Sequence, residues 1–423
     1  MNEAQTTTST EEENAAQAIS AMGFNPFDPA FREDPYPIYR ALIEGEPLRE
    51  GMFGLYVVPR YADVVAMLRD PRSSNDQRNS DQFEQLAAQQ APDADAALLM
   101  QSQPFLFMDP PDHTRLRGLV NKAFTPRVID ELRPRIQQTV DHLVDTALAR
   151  GSMDVIEDLA YPLPVRVISE MLGVPPEDHE RFKSWSRVLA KSLDFEFSVP
   201  PEVMEERMHA GEAFRAYFRE LIAERRSAPK DDLLSALIAA EEEGDKLSEE
   251  ELLSTCVLLL VAGHETTVNL IGNGVLQLIR HPDQAVRLRE DPSLIRTAVE
   301  EVLRYDPPVQ FTARIALGDI ALPSGIVPKG KQAVLLLGAA NHDPAQFTDP
   351  ERFDIGREDN RHVAFGMGIH FCLGAPLARV EGQIAIGTLV ARTKEIALAG
   401  TPVYREQITL RGLETLPVKL TPA

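Results

Sequence analysis

Phe365-Gly366-Met367-Gly368-Ile369-His370-Phe371-Cys372-Leu373-Gly374-Ala375-Pro376-Leu377-Ala378-Arg379 sets one cysteine among glycines, just ahead of a helix-forming run. A thiolate, not a thiol, is the metal ligand, and the approach to a helix N-terminus favours negative charge, which lowers a cysteine's pKa. Gly366, Gly368 and Gly374 lack a Cβ, so backbone can turn sharply and lie close beneath a flat cofactor. A lone cysteine is ordinarily a small buried hydrophobe. Cys256, in an apolar helical stretch, reads that way; Cys372, in this setting, reads as a ligand.

The spacing resembles the haem-binding loop of the cytochrome P450 family, F-x-x-G-x-H-x-C-x-G-x-x-L-A-R, at every defined position. The resemblance implies a haem-thiolate monooxygenase of the soluble bacterial type, with haem b ligated by Cys372 and enclosed by Phe365, Gly366, His370 and Gly374. It implies a mainly α fold with small β-sheets, the haem lying between a long central helix and the helix after the cysteine.

Composition agrees with a soluble enzyme. With 423 residues, 43% of them apolar, the chain can bury a large core. Residues assigned to one pocket run from His113 to Cys372, so 23–423 is expected to be a single domain, preceded by a mobile tail over 1–22. No apolar run in that tail nears the roughly 20 residues that span a bilayer, which points to a cytoplasmic protein. A net charge of -22 disfavours nucleic acid and anionic membranes as partners.

Periodicity predicts helices over 112–123, 127–149, 155–172, 178–193, 202–227 and 293–305, and another from Cys372 to about 393. Strands are expected at 54–58, 309–316, 319–322 and 332–337, with short strands in the tail after 395. The best-marked element opens with the capping box Ser248-Glu249-Glu250-Glu251 and runs to Arg280, where His281 and Pro282 stop it. About 33 residues at 1.5 Å each make a helix near 50 Å long. Its apolar middle predicts burial.

Inside that helix sits Ala262-Gly263-His264-Glu265-Thr266-Thr267, polar residues that cost free energy in an apolar element unless paired or used. Thr266 can bond back to a carbonyl one turn earlier, and Gly263 leaves room for a ligand. The segment resembles the family's oxygen-activation motif, A/G-G-x-D/E-T. That resemblance puts Ala262 and Gly263 against the haem, gives Thr266 a hydrogen bond to dioxygen and makes Glu265 its link to a proton supply. His264-Glu265 also opens like the zinc signature H-E-x-x-H, but position 268 is Val and the second ligand is missing.

Glu301 and Arg304 lie three apart on one helical face and resemble the family's E-x-x-R pair, joined in the resemblance by Arg352 of Pro350-Glu351-Arg352-Phe353. Asp109-Pro110-Pro111-Asp112-His113-Thr114-Arg115-Leu116-Arg117 resembles the family's D-P-P-x-H-x-x-x-R segment. It implies that His113 and Arg117, with Arg314 and His370, hold the haem propionates. At His342 the family commonly has Arg, a departure outside the implied pocket.

The chain lacks a G-x-G-x-x-G fingerprint, so the resemblance implies electrons from an external ferredoxin and its NAD(P)H-dependent reductase, docking on the Cys372 side. Arg115, Lys122, Arg361 and Arg379 are the candidate basic contacts. Leu98, Leu99, Met100 and 105–107 are expected to roof the substrate pocket, with Leu193, Phe195 and Phe197 as a second lid. Val261, Ala262, Val309, Gln310 and Phe311 are candidate walls, and the lack of a basic anchor there favours a neutral or apolar small organic substrate. A peroxide-driven peroxygenase and a haem-based gas sensor share the cysteine loop but have no use for Glu265 and Thr266.

Overall fold

Ser248 opens the element around which the rest packs. Its hydroxyl accepts from the Glu251 amide at 3.2 Å while the Glu251 carboxylate accepts from the Ser248 amide at 2.7 Å, so the expected capping box is formed. The helix runs Glu249–Arg280 and ends at His281, whose amide bonds to the Gln277 carbonyl. It is long and apolar enough to cross a membrane, yet 78% of its apolar window is buried inside the protein, as a core helix requires. The computed structural model describes residues 22–51, 54–81, 104–190, 201–242 and 247–423. The roof residues 98–100 and the lid residues Leu193, Phe195 and Phe197 lie outside these.

The helix Ala375–Ala391, which follows the cysteine, packs directly on the central helix. A Cβ on Gly274 would come within 2.6 Å of Ile386, so the missing side chain sets how closely the two approach. Pro162–Met171 packs on the central helix near Gly263, with Ile168 within 3.4 Å of where a Cβ would lie. Beyond it, His179–Ala190 and Pro201–Ser227 are joined by a cluster of Phe182, Trp185, Phe214, Tyr217 and Phe218, ring centroids 4.5 to 6.1 Å apart. Truncating a buried ring such as Phe214 would cost about 3–5 kcal/mol.

The expected helix over 155–172 is two elements. Residues Ile156–Ala160 form a π-turn, in which the Tyr161 amide reaches back to Ile156, and the α-helix starts only at Pro162. Proline is favoured in a first turn and disruptive further in, so Pro162 restarts the helix rather than continuing it. The helix 127–149 is seen as Pro126–Arg150, and the helix 293–305 as Ile295–Tyr305 after a short turn.

The main sheet has five strands, ordered Arg49–Glu50, Tyr56–Val58, Gln332–Leu336, Phe311–Ala316 and Ser73–Ser74. In it Arg314 lies opposite Ala333. A second sheet joins Thr393–Leu398 and Ser152–Asp154 to Pro417–Pro422. Between these sheets the chain makes a hairpin whose loop is tied to the end of Ile295–Tyr305: the Gln310 amide bonds to Thr409 and the Arg411 amide to Pro308. That lays residues 404–412 along the central helix.

Arg304 and Glu301 form a fully buried pair, Nε and Nη2 donating to the two carboxylate oxygens at 2.9 and 2.8 Å. The remaining Arg304 donors go to the carbonyls of Asn341, Pro350 and Arg352, so one guanidinium knits three segments of the irregular region. The third arginine side chain is Arg357, not the expected Arg352. Arg357 Nε lies 3.1 Å from Glu301, whereas Arg352 contributes only its carbonyl and keeps its side chain 64% exposed. Glu301→Ala should give little soluble protein and, if the expected haem is the cofactor, little of it bound. Arg304→Ala should cost about 3–5 kcal/mol by stranding a buried carboxylate. Arg357→Ala should cost about 1–3 kcal/mol and Arg352→Ala under about 0.5 kcal/mol; denaturant unfolding of the three variants checks the order.

Candidate functional site

The cysteine loop is held from both ends. The Cys372 amide bonds to the Phe365 carbonyl at 2.9 Å, and Gly366 and Gly368 take left-handed φ of 66° and 71°. A Cβ at Gly368 would also sit 2.5 Å from the Leu68 carbonyl oxygen, so no other residue fits that turn. The Arg379 guanidinium lies over the Phe365 ring at 4.6 Å and grips both oxygens of Glu300 at 2.6 and 2.8 Å. His362 adds a bond to Glu300 at 3.1 Å. Burial alone would raise the Glu300 pKa, but Arg379 and His362 outweigh it and hold the carboxyl at about 2.

The expected depression of the Cys372 pKa is not what the free thiol shows. Burial pushes it up, against the downward pull of the Gly374 and Ala375 amides, Arg117 and Arg379. Those amides and cations still mark the sulfur as a place for negative charge. Metal coordination deprotonates a thiol outright, which reverses the balance.

The four expected propionate partners converge. The His113 and His370 rings lie 4.2 Å apart, and burial with nearby Arg314, His113 and Arg117 pushes His370 down to about 3. Burial and then Arg117 also lower His113. Arg314 is 5% exposed, its Nη1 donating to Asn75 Oδ1 at 2.6 Å, to the Ala313 carbonyl and to the Thr312 hydroxyl. Arg117 donates to the Phe371 carbonyl. Both nitrogens of His113 and Nε2 of His370 are buried without a hydrogen-bond partner. Orphaned donors beside two arginines suit a ligand bearing two carboxylates, so these residues fit haem b.

On the central helix Ala262 is exposed, Gly263 and Thr266 are half-buried, and the flanking residues are buried. Thr266 donates to the Ala262 carbonyl at 3.0 Å, as expected of a helical threonine. Glu265 differs from expectation: it does not reach Thr266. Its carboxylate is 1% exposed and held between His264 Nε2, at 3.1 Å, and the Arg405 guanidinium. His264 Nδ1 is 2.6 Å from the Leu260 carbonyl, so the ring faces an oxygen at each end. Burial would raise the Glu265 pKa, but His264 and Arg405 override it and hold the group at about 2.

Three residues had not been singled out. Arg405 lies in a weakly patterned loop with no sequence signal. Asn75 is similarly silent. Glu381 did leave one, a single acid in the apolar run after the cysteine. It is 1% exposed, bonded to Thr267 next to the open turn, with Oε2 unpartnered, and burial pushes it up to about 8. An unfolded glutamate titrates near ~4.3. Above that pH the unfolded chain releases a proton that the folded chain keeps, so this group subtracts stability as pH rises from about 4.3 to about 8. Glu381→Gln should remove that decline, by about 1.4 kcal/mol per pH unit at most, as read from urea unfolding between pH 5 and 8.

The family model described as Cytochrome P450 matches residues 81–396. Among similar proteins, cytochrome P450 CYP107DY1 of Priestia megaterium is 44% identical over 405 residues, covering 92% of this chain and 97% of its own. The crystal structure of Mycobacterium smegmatis CYP164A2 in its ligand-free state superposes with a TM-score of 0.86 at 46% identity, covering 93% of this chain and 98% of that one. P450BioI, solved in complex with an acyl carrier protein ligated to hexadec-9Z-enoic acid, superposes with a TM-score of 0.84 at 43% identity, over 92% and 99% of the two chains. The cysteine loop, the buried glutamate–arginine pair and the long helix with its open turn therefore belong to a haem b monooxygenase, and the chain is a member of the cytochrome P450 family.

Proposed function

We propose that this monooxygenase inserts one oxygen atom of dioxygen into a neutral or apolar organic molecule, with the second atom leaving as water. The observation that carries the dioxygen reading is the open turn at Ala262, Gly263 and Thr266, backed by a buried carboxylate at Glu265. When bound, haem supplies the oxygen-activating chemistry, with a thiolate ligand that favours O–O cleavage. Cys372 would be its ligand, with Phe365, Gly366 and Gly374 beside the sulfur and Ala262 and Gly263 lining the pocket on the central helix. His113, Arg117, Arg314 and His370 would hold the propionates. Thr266 orients a hydroxyl into the pocket, and Glu265 is the proton donor behind it. Residues 23–423 act as one domain, consistent with a large core cluster that runs from Phe105 to Leu420 and two smaller ones that join residues 22–68 to residues 311–408.

Electrons come from an external ferredoxin and its reductase, in the cytoplasm, without a membrane or nucleic-acid partner. A groove of about 420 Å³ on the outer face of the cysteine-loop helix supports docking on that side. Arg133, Arg296, Arg379 and Pro376 line it. Of the expected basic contacts, Arg115 is paired to Glu251 and Arg379 to Glu300, while Arg361 is exposed beside Asp359. The likeness to P450BioI supports a further possibility for the substrate, presentation on a carrier protein.

An optical titration of the ferric protein against terpenoids, steroids, fatty acids, macrolides and aromatic acids should give a blue-shifted Soret band for the true class. With a surrogate ferredoxin and reductase, Thr266→Ala should lower product formed per NAD(P)H by about tenfold or more. Peroxide-driven turnover that exceeds the NAD(P)H-driven rate and ignores Thr266→Ala would instead identify a peroxygenase. Absence of any NAD(P)H-dependent product across the panel, free or carrier-bound, would favour a gas sensor.

A further inference from the structure

The edge strand Ser73–Ser74 pairs with Phe311–Ala316, and its register, Ser74 opposite Ile315, brings Asn75 level with Arg314. The polar residues of the turn that follows converge on one carboxylate. Ser74 Oγ donates to Asp109 Oδ2 at 2.5 Å, the Asn75 amide to Oδ1 at 3.0 Å and Asn79 Nδ2 to Oδ2 at 3.1 Å. The Asp109 carbonyl in turn accepts from the His113 amide at 3.0 Å, at the start of the helix Asp112–Ala123. The sheet edge therefore fastens the helix that carries His113 and Arg117.

Asn75 also ties in two further segments through its side chain. Oδ1 accepts from Arg314 Nη1 at 2.6 Å, and Nδ2 donates to the Leu106 carbonyl. Only a side-chain amide offers an acceptor and a donor on one short arm, so this pairing suits asparagine and not aspartate. Among the described residues every Arg314 bond uses Nη1, to Asn75, the Thr312 hydroxyl and the Ala313 carbonyl, which leaves Nε and Nη2 for a carboxylate. Burial pushes the guanidinium down to about 10, and Asp109 is the charge that opposes it. Leu106 belongs to the 3₁₀ turn Phe105–Phe107, the described part of the expected pocket roof. Phe105 is buried in the main core and lies 6.4 Å from the His113 ring between centroids, while Leu106 and Phe107 are half-buried. No other side chain among the described residues hydrogen-bonds both to this turn and to a propionate partner.

We propose that Asn75 is a positioning residue that couples the pocket roof to the haem seat, so that an organic molecule bound under Phe105–Phe107 favours reduction of the iron through Arg314. The proposal rests on the readings of Arg314 as a propionate partner and of 105–107 as roof. With the roof supported by an occupant, Nδ2 stays on Leu106 and Oδ1 keeps the guanidinium fixed, its Nε and Nη2 left to the carboxylate. A neutralised carboxylate near the iron favours the added electron. With the pocket empty the roof lacks that support, and the guanidinium loses the acceptor that orients it. Linkage makes the effect reciprocal: the occupant binds the reduced protein more tightly than the oxidised one, by the factor with which it favours reduction.

The test uses the haem-loaded full chain. Amide hydrogen exchange at Phe107 and Met108, whose amides bond to the Pro104 and Phe105 carbonyls, reads the roof without turnover. Arg314 has no hydrogen bond to that turn, yet Arg314→Gln should speed exchange there about fivefold and add nothing in an Asn75→Ala background, itself faster than wild type. Asn75→Asp keeps an acceptor for Arg314 but loses the donor to Leu106, and should exchange like Asn75→Ala. With the compound that gives the largest Soret shift, both Asn75 variants should keep the shift and lose about fivefold in the ratio of ferrous to ferric affinity, about 40 mV in a one-electron couple. Additive exchange, wild-type exchange in Arg314→Gln, or a wild-type affinity ratio in both Asn75 variants would overturn the coupling. A redox titration of Arg314→Gln tests the footing: a lowered midpoint potential upholds the propionate reading, and an unchanged one overturns it. Should Arg314→Gln fail to hold haem, Arg314→Lys, which keeps the charge and loses the fork, takes its place in the exchange comparison.

Discussion

A carboxylate and a guanidinium with no access to water, Glu301 and Arg304, set the conditions for everything around the cysteine. Burying two charges is favourable only when their remaining donors and acceptors are filled, and here every one is spent on the irregular region between Leu337 and Cys372. That region has almost no regular structure to hold it. The neighbouring Glu300, about 100° further round the same helix, holds Arg379 and His362, so two consecutive residues fasten both flanks of the metal-binding loop. The loop's left-handed glycines can then keep a turn that a freer segment would abandon.

Much of this was legible in the sequence because its signals are local. A capping box, a proline stop and glycines at fixed offsets from a cysteine each depend on a few neighbouring residues. So did the E-x-x-R pair. Arg357 was not legible, because spacing says which arginines come near Glu301 but not which side chain turns inward. The break at Pro162 was missed because the apolar pattern runs through it unchanged. Arg405 lies in a loop with neither periodicity nor motif, and only tertiary structure brings it 140 residues back to Glu265. The Cys372 thiol was misjudged on one point, since the helix-end effect was weighed without the burial that opposes it.

The central helix carries different surfaces on its different sides. One is apolar and packs at close range against the cysteine-loop helix. Another is interrupted at Ala262, Gly263 and Thr266, where the hydroxyl turns back on its own backbone. The third is a buried stripe of Glu265, Asn269, Asn273 and Gln277, satisfied only in part by the chain it faces. Unlike the apolar contacts, these bonds are directional, so they fix the helix's rotation about its axis as well as its depth in the core. Rotation determines what the open turn faces.

The stripe's partners also impose an order of events during synthesis. The residues from Glu265 to Gln277 emerge from the ribosome well before Arg405 and Arg411, which supply their counter-charges and carbonyl acceptors. Until those residues are made, the nascent helix carries an unpaired buried acid and idle amides, and its native seat is unfavourable. The amino-terminal segments meet the same restriction, because Arg411 donates to the carbonyls of Arg32 and Glu33. Domains generally assemble as they are translated, beginning from the amino terminus. The contacts of this stripe therefore close only after Arg405 and Arg411 have been made.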